Sequence, residues 1–339
     1  MINIISGQSL TNKNTFHINV NSEYYCELDS IEQLPELVAR REFKDSEILI
    51  LGGGSNLLFT RDFSGLVIKN NIRGIEVVNE TGNEIFVKVG AGENWHQFVL
   101  WCIDRNYGGV ENLSLIPGNI GASPMQNIGA YGVEIKDVFY SLEAVHVESG
   151  QMITFNNHEC EFGYRESVFK RRFKDQFIIT SVTYRLNKYP RFNISYGTIA
   201  QELEQAGVKE LSVKSISDAV IRIRKSKLPS PDEIGNAGSF FKNPEVTNAT
   251  HRQLQEIFPD IVAYPLENGN VKLAAGWLIE KAGWKGYREG DAGVHTRQAL
   301  VLVNYGNASG YQIFELSSKV MMSVEEKFGV ILEREVNIY

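Results

Sequence analysis

Residues 116–132 read IPGNIGASPMQNIGAYG, with four glycines, two prolines and no charged side chain. Glycine permits positive φ and close backbone approach, at an entropic cost. An uncharged, glycine-rich loop can turn its N–H groups toward phosphate with no side chain in the way. The stretch is not a P-loop, because no GKS or GKT follows it. A tightly packed turn is the competing reading, and the stretch is long for one. A second glycine cluster, LGGGSNLL at 51–58, lies upstream. Together they point to two loops cradling one large phosphate-bearing ligand, whose identity these residues leave open.

Composition narrows the class of partner. At 339 residues the chain has room for two or three domains. A formal charge of −7 gives no electrostatic case for nucleic acid. The content of 43% hydrophobic and 22% charged residues is that of a soluble globular protein. No apolar run reaches membrane-spanning length. The opening MINIISGQSLTNKNTFHINV lacks the basic and apolar regions of a signal peptide. Cys26, Cys102 and Cys160 form no CxxC pair, so a reducing, cytoplasmic setting is expected. The six histidines form no HxxxH or His/Cys cluster, and no metal site is expected.

Along the chain, 24–28 has strand character, and Ser30 with Gln33 opens a helix by a capping box. Residues 48–51 form a buried strand that runs into Gly52-Gly53-Gly54-Ser55-Asn56, closing a β-α-β unit. A Rossmann turn needs GxGxxG and then a helix. Here Leu57 takes the third glycine position and strand-like sequence follows at 65–69. Residues 84–89 alternate as a strand, and Trp95, Phe98, Val99 and Cys102 mark the inner face of a helix. Strands are expected at 140–147 and 177–186, and a helix at 217–224. Lys170-Arg171-Arg172 reads as a solvated face. GNAGSFFKNP at 235–244 reads as a further glycine turn, 271–282 as a helix and 299–303 as a buried strand. Ser309 and Gln312 form a second capping box, before a helix with Ile313, Leu316, Val320, Val324 and Phe328 inward and Gly329 as its stop. The end is read as strand at 330–332 and 336–338.

With these stretches in hand, the chain resembles the UDP-N-acetylenolpyruvoylglucosamine reductase family over nearly its whole length. The resemblance rests on Asn14-Thr15-Phe16, GGGSN at 52–56, GAGENW at 90–95 and the 116–132 loop. It continues through FGYR at 162–165, SYG at 195–197, KLP at 227–229, GNAGSFFKNP, KLAAGWLI at 272–279 and the terminal Glu-x-Glu-Val. The SYG and KLAAGWLI segments look like the longer (type I) form. The family usually has proline between the last two glutamates, where this chain has Arg334, a departure that bears on the local turn and leaves Glu335 in place.

The resemblance implies an α+β protein with a vanillyl-alcohol-oxidase/PCMH-like FAD-binding fold in two subdomains, 1–71 and 72–224. A separate α+β substrate domain would span 225–329, with a terminal strand in 330–339 returning to 72–224. It implies non-covalent FAD, NADPH as co-substrate, and reduction of UDP-N-acetylglucosamine enolpyruvate in peptidoglycan precursor synthesis. A monomer with no nucleic-acid or membrane partner is expected. By match to the family's motifs, Ser239 is the proton donor, with Arg165 and Glu335 stabilising the intermediate. The cofactor residues implied are Gly52, Gly53, Gly54, Ser55, Asn56 and Leu57, then Ile116, Pro117, Gly118, Gly121, Ala122, Ser123, Met125, Gln126, Ile128, Gly129, Tyr131 and Gly132, with Ile179 and Arg224. Tyr196, Lys227, Asn243, Tyr264, Lys272 and Gln298 are implied for the substrate. Two rival readings are another flavin oxidoreductase of this fold acting on an alcohol or sugar, and a non-catalytic nucleotide-sugar binding protein.

Overall fold

Alternating runs such as EIFVKV and VTYRL form strands because branched and aromatic side chains fit a pleated, half-buried surface. The computed structural model describes all residues, Met1–Tyr339, and they fall into two units. The first holds Met1–Gln8, Ser22–Gly53 and Phe63–Ser226, and the second holds Ser9–Asn21, Gly54–Asp62 and Lys227–Tyr339.

In the first unit, Asn21–Leu28 and Glu47–Leu51 flank Phe63–Asn70, both parallel to it. The crossover opens with the Ser30–Gln33 capping box and buries Leu34, Leu37 and Phe43. A five-stranded antiparallel sheet follows, in the order Met152–Asn156, Phe139–His146, Phe177–Asn187, Glu84–Gly90, Ile75–Glu80. The helix Trp95–Ile103 buries Trp95, Phe98, Val99 and Cys102 in the same core as Tyr184 and Leu186. Each such side chain stabilises the fold by about 1.5–3 kcal/mol. Asn94 caps that helix by accepting from the Gln97 N–H. The helix Val213–Lys227 packs Ile216, Val220 and Ile223 against Ile199 and Leu203.

In the second unit, an antiparallel sheet runs Gly235–Ser239, Val301–Asn304, Ala292–Val294, Arg288–Glu289. A smaller sheet holds Glu245–Val246, Val271–Leu273 and Ala263–Pro265. The helix Gly310–Phe328 starts from the Ser309–Gln312 capping box, buries all five residues expected inward, and ends at Gly329 with φ 64°. That left-handed stop carries no Cβ penalty.

Four expectations change. Residues 235–239 are a strand, not a turn, because the segment around Phe16 lies beside them. The Asn236 N–H donates to Thr15 O at 2.9 Å, and Asn304 Nδ2 donates to Phe16 O at 2.9 Å. The same contacts draw 9–21 into the second unit, so the chain does not divide as three consecutive blocks. Residues 271–273 are a strand paired on both sides, and the helix begins only at Ala275, whose N–H donates to Asn243 Oδ1. At the terminus, Asn337–Ile338 pairs in parallel with Leu57–Leu58 and not with 72–224.

Candidate active site

The strand Glu47–Leu51 delivers its glycines against the central loop. A Cβ on Gly53 would lie 2.8 Å from Gly118 Cα and 3.1 Å from Asn119 Oδ1. One on Gly52 would touch Asn119 and Ala122 at 3.6 and 3.8 Å, and one on Gly121 would meet Ala91 Cβ at 2.7 Å. Lys69 Nζ donates to Gly52 O. Asn119 Nδ2 donates to Gly92 O at 3.0 Å, and the Trp95 N–H donates to Gly118 O at 3.0 Å, which ties the loop to the GAGENW turn. Ser123, fully buried, shares a 2.7 Å hydrogen bond with the Tyr184 hydroxyl. Ile116, Met125 and Ile128 pack on the sheet core, and Pro117 is exposed. Ile179 is a buried strand residue whose carbonyl accepts from Asn70 Nδ2 at 2.8 Å.

Strain gathers at the other end of this loop. Asn127, Tyr131 and Arg165 have φ of 45°, 51° and 53°. Such values are uncommon outside glycine and persist where the surroundings over-determine the backbone. Arg165 Nη2 donates to Gly129 O at 2.8 Å. Buried Asn127 holds the turn that carries Arg165, donating to Gly163 O at 2.9 Å and to Glu134 Oε2 at 2.8 Å. Buried Asn112 does the same for the Tyr196 loop, donating to Asn193 O at 2.9 Å and Tyr131 O at 3.0 Å. Tyr196 lies against Gly132, where a Cβ would come within 3.1 Å of its own Cβ.

Arg224 is set in the same region, and its Nε is shut off from solvent with no acceptor. Burial lowers its pKa, the Arg165 charge pushes the same way, and Tyr131 opposes them. His96 accepts from the Leu115 N–H at Nδ1, at 3.0 Å. Its pKa is lowered by burial and then by Arg224 and Lys225. Three side-chain cations therefore act on one neighbourhood, a field that suits an anion.

In the second unit, Ser239 and Glu335 are one ladder step apart. The Glu335 N–H donates to Phe240 O at 2.8 Å, the Lys242 N–H donates to Glu333 O at 2.9 Å, and Phe241 faces Arg334. A register shift between Asn236 and Ser239, with Gly238 at φ 70°, re-aims Ser239. Glu335 is buried, and Asn56 Nδ2 donates to its carbonyl at 3.3 Å. Gly54, Ser55 and Leu57 flank Asn56 in this unit. Asn243 and Gln298 both reach the first turn of the helix Ala275–Lys281. The first accepts from the Ala275 N–H at 2.9 Å, and the second would lie 3.1 Å from a Cβ on Gly276. Tyr264 pairs opposite Lys272 on the smaller sheet, and Lys227 is an exposed residue ending the helix Val213–Lys227.

A UDP-N-acetylenolpyruvoylglucosamine reductase from Flavobacterium johnsoniae is 51% identical over 336 residues, 99% of this chain and 99% of its own. The chain belongs to the UDP-N-acetylenolpyruvoylglucosamine reductase family. Family members from Pseudomonas putida and Chromobacterium violaceum are 50% and 49% identical, covering 98% and 95% of this chain and 97% and 95% of theirs. Residues 230–339 match the C-terminal domain of the reductase, and residues 22–156 match an FAD binding domain. The solved reductase from Thermus caldophilus has a TM-score of 0.69 and 22% identity, over 100% of this chain and 99% of its own. A solvent-stable cholesterol oxidase has a TM-score of 0.52 and 11% identity, over 98% of this chain and 87% of its own. At these identities the two show the shared fold alone, which is the vanillyl-alcohol-oxidase/PCMH-like one.

The first unit fits the FAD of the reductase family on its own geometry. Gly53 and Gly118 leave no room for a side chain between the loops, and the sealed Arg224 Nε lacks an anion or acceptor. Asn112 and Asn127 are the residues that sequence reasoning missed. Their only signal was an asparagine in or beside an uncharged glycine-rich loop, and Asn127 takes the left-handed backbone that this residue type tolerates.

Proposed function

We infer that this protein is an FAD-containing, NADPH-dependent oxidoreductase that reduces UDP-N-acetylglucosamine enolpyruvate to UDP-N-acetylmuramate for peptidoglycan. The observation that carries this reading is 51% identity to a reductase of that name over 99% of both chains. The glycine cradle and the FAD-domain match of residues 22–156 support it. The protein works in the cytoplasm as a monomer. Three buried free thiols support a reducing compartment, and no helix is long and apolar enough to cross a membrane.

Gly52 to Leu57 and the central loop would hold the cofactor diphosphate. Bound FAD, reduced by NADPH, supplies a hydride for C3 of the enolpyruvyl group. The electron pair then gathers on C2 and its carboxylate, so the site needs positive charge there and an acid at C2. Arg165 meets the carboxylate, its guanidinium aimed by the bond to Gly129 O. Ser239 gives its hydroxyl proton to C2, and Glu335, whose N–H is bonded to the residue after Ser239, helps to stabilise the intermediate. Lys227, Tyr196, Asn243 and Gln298 take the UDP diphosphate, and Tyr264 and Lys272 flank it.

The test is NADPH consumption with and without the enolpyruvyl substrate. Consumption that requires this substrate and yields UDP-N-acetylmuramate supports the reading. Turnover of an alcohol or sugar instead, or a colourless protein, overturns it.

A further inference from the structure

The side chain of Arg334 is anchored by two hydrogen bonds and a ring contact. Nε donates to Ser317 Oγ at 2.8 Å, Nη2 donates to Ser318 Oγ at 2.6 Å, and the guanidinium lies 4.5 Å from the centre of the Phe314 ring. All three partners lie on one turn of the helix Gly310–Phe328. Both serine hydroxyls donate to Phe314 O, at 2.6 and 3.1 Å, so each presents its lone pairs to the arginine.

The backbone at 334 does not depend on its own N–H. The two ladder bonds here come from the N–H groups of Lys242 and Glu335, and Arg334 and Phe241 form the non-hydrogen-bonded pair between them. The residue at 334 gives no N–H to this pair, so proline removes nothing from it and instead restricts φ. Arginine restrains the same segment through its side chain. On one flank, Glu333 is paired with Lys242 Nζ at 2.5 Å. On the other flank is Glu335, whose N–H is bonded to the residue after Ser239.

We propose that Arg334 is a positioning residue for Glu335, fastening the Glu335 segment to the Phe314–Ser318 turn so that Glu335 keeps its backbone bond to Phe240, the residue after Ser239. The proposal rests on the assignment of Glu335 and Ser239 to the reaction made above.

The test uses the FAD-loaded enzyme and follows reduction by NADPH and reoxidation by the enolpyruvyl substrate separately. Variants are Arg334→Ala, Arg334→Lys, Glu335→Gln and the Arg334→Ala/Glu335→Gln pair. Arg334→Ala is expected to slow reoxidation by about tenfold to a hundredfold, the effect of a misplacement near 1 Å. Reduction by NADPH and FAD content should stay as in the parent. Arg334→Lys, which keeps the charge and reaches one hydroxyl, should recover part of the rate. In the Glu335→Gln background the arginine substitution should add less than about threefold, because residues acting as a unit are non-additive. If Arg334→Ala does not fold, Ser318→Ala removes one anchor and should slow reoxidation alone by a smaller factor.

Equal slowing of both half-reactions, slowing of neither, or an undiminished effect in the Glu335→Gln background overturns the positioning role. If Glu335→Gln itself leaves reoxidation unchanged, the assignment of Glu335 is wrong and the proposal falls with it. A slow Glu335→Gln beside a normal Arg334→Ala overturns the proposal alone.

Discussion

Gly53→Ala puts one methyl between the two cofactor loops. Its Cβ would lie 2.8 Å from Gly118 Cα and 3.3 Å from Gly118 C, both backbone atoms that cannot rotate away. Ordinary carbon contacts are about 3.5–4.0 Å, so the loops must part by about 0.7–1.2 Å. Overpacking of this kind costs about 1–3 kcal/mol. If the cofactor needs the present spacing, that cost appears as about a fivefold to 150-fold weaker FAD complex. The assay is titration of stripped protein with FAD, followed by quenching of FAD fluorescence, with thermal unfolding recorded with and without FAD. Gly82→Ala is the control, since a Cβ there meets nothing within 4 Å. Apo unfolding should differ less between these variants than the FAD-induced stabilisation does. Gly53→Ala binding FAD as tightly as Gly82→Ala would refute the claim that these loops form the cradle.

Three further outcomes are expected. Lys227→Ala should raise the KM for the UDP substrate by about tenfold to 150-fold, the worth of a charge-assisted contact of about 1.5–3 kcal/mol, with FAD content unchanged on acid extraction. His96 has its pKa lowered in the fold by burial and by Arg224 and Lys225, so the unfolded chain takes up its proton first as pH falls below about 6.5. The stability contributed by neutral His96 is therefore present above that pH and is lost below it. His96→Gln should show a smaller loss of melting temperature between pH 7.5 and pH 5.5, on the order of two pH units spanning the free value. Ser309→Ala removes the Oγ that accepts from the Gln312 N–H at 3.2 Å, and should destabilise the second unit by about 1 kcal/mol in denaturant titrations.

The last helix was legible because caps, apolar spacing and stop all agreed. Ser309 and Gln312 open it, five inward residues follow, and Gly329 closes it. The strand Gly235–Ser239 was not, because Gly-Asn-Ala-Gly-Ser has no branched or aromatic residue to mark a strand. Its form is imposed by Val301–Asn304 and by the distant Thr15. Val271–Leu273 misread for a related reason, since three residues cannot show a period and the pairing on both sides decides their state. The cofactor loops could be read as phosphate cradles from glycine content alone, whereas the flavin came from the family resemblance. The support given by Asn127 to the Arg165 turn was illegible, because it depends on a contact 36 residues away. The departure at Arg334 was visible, but its partners Ser317 and Ser318 carried no mark in the sequence.

In the proposed reaction Ser239 supplies the proton to C2 after hydride has reached C3. Stopped-flow absorbance of the bound flavin, taken under nitrogen, separates the two half-reactions in Ser239→Ala. NADPH has no C2 to protonate, so bleaching by NADPH should keep its parent rate. Recovery of the yellow form on adding the enolpyruvyl substrate should slow by about 10²–10⁴-fold, the usual share of general-acid catalysis, and Ser239→Cys should restore part of it. Slowing of both steps alike, or of neither, would contradict the assignment and leave Ser239 as a residue of the strand alone.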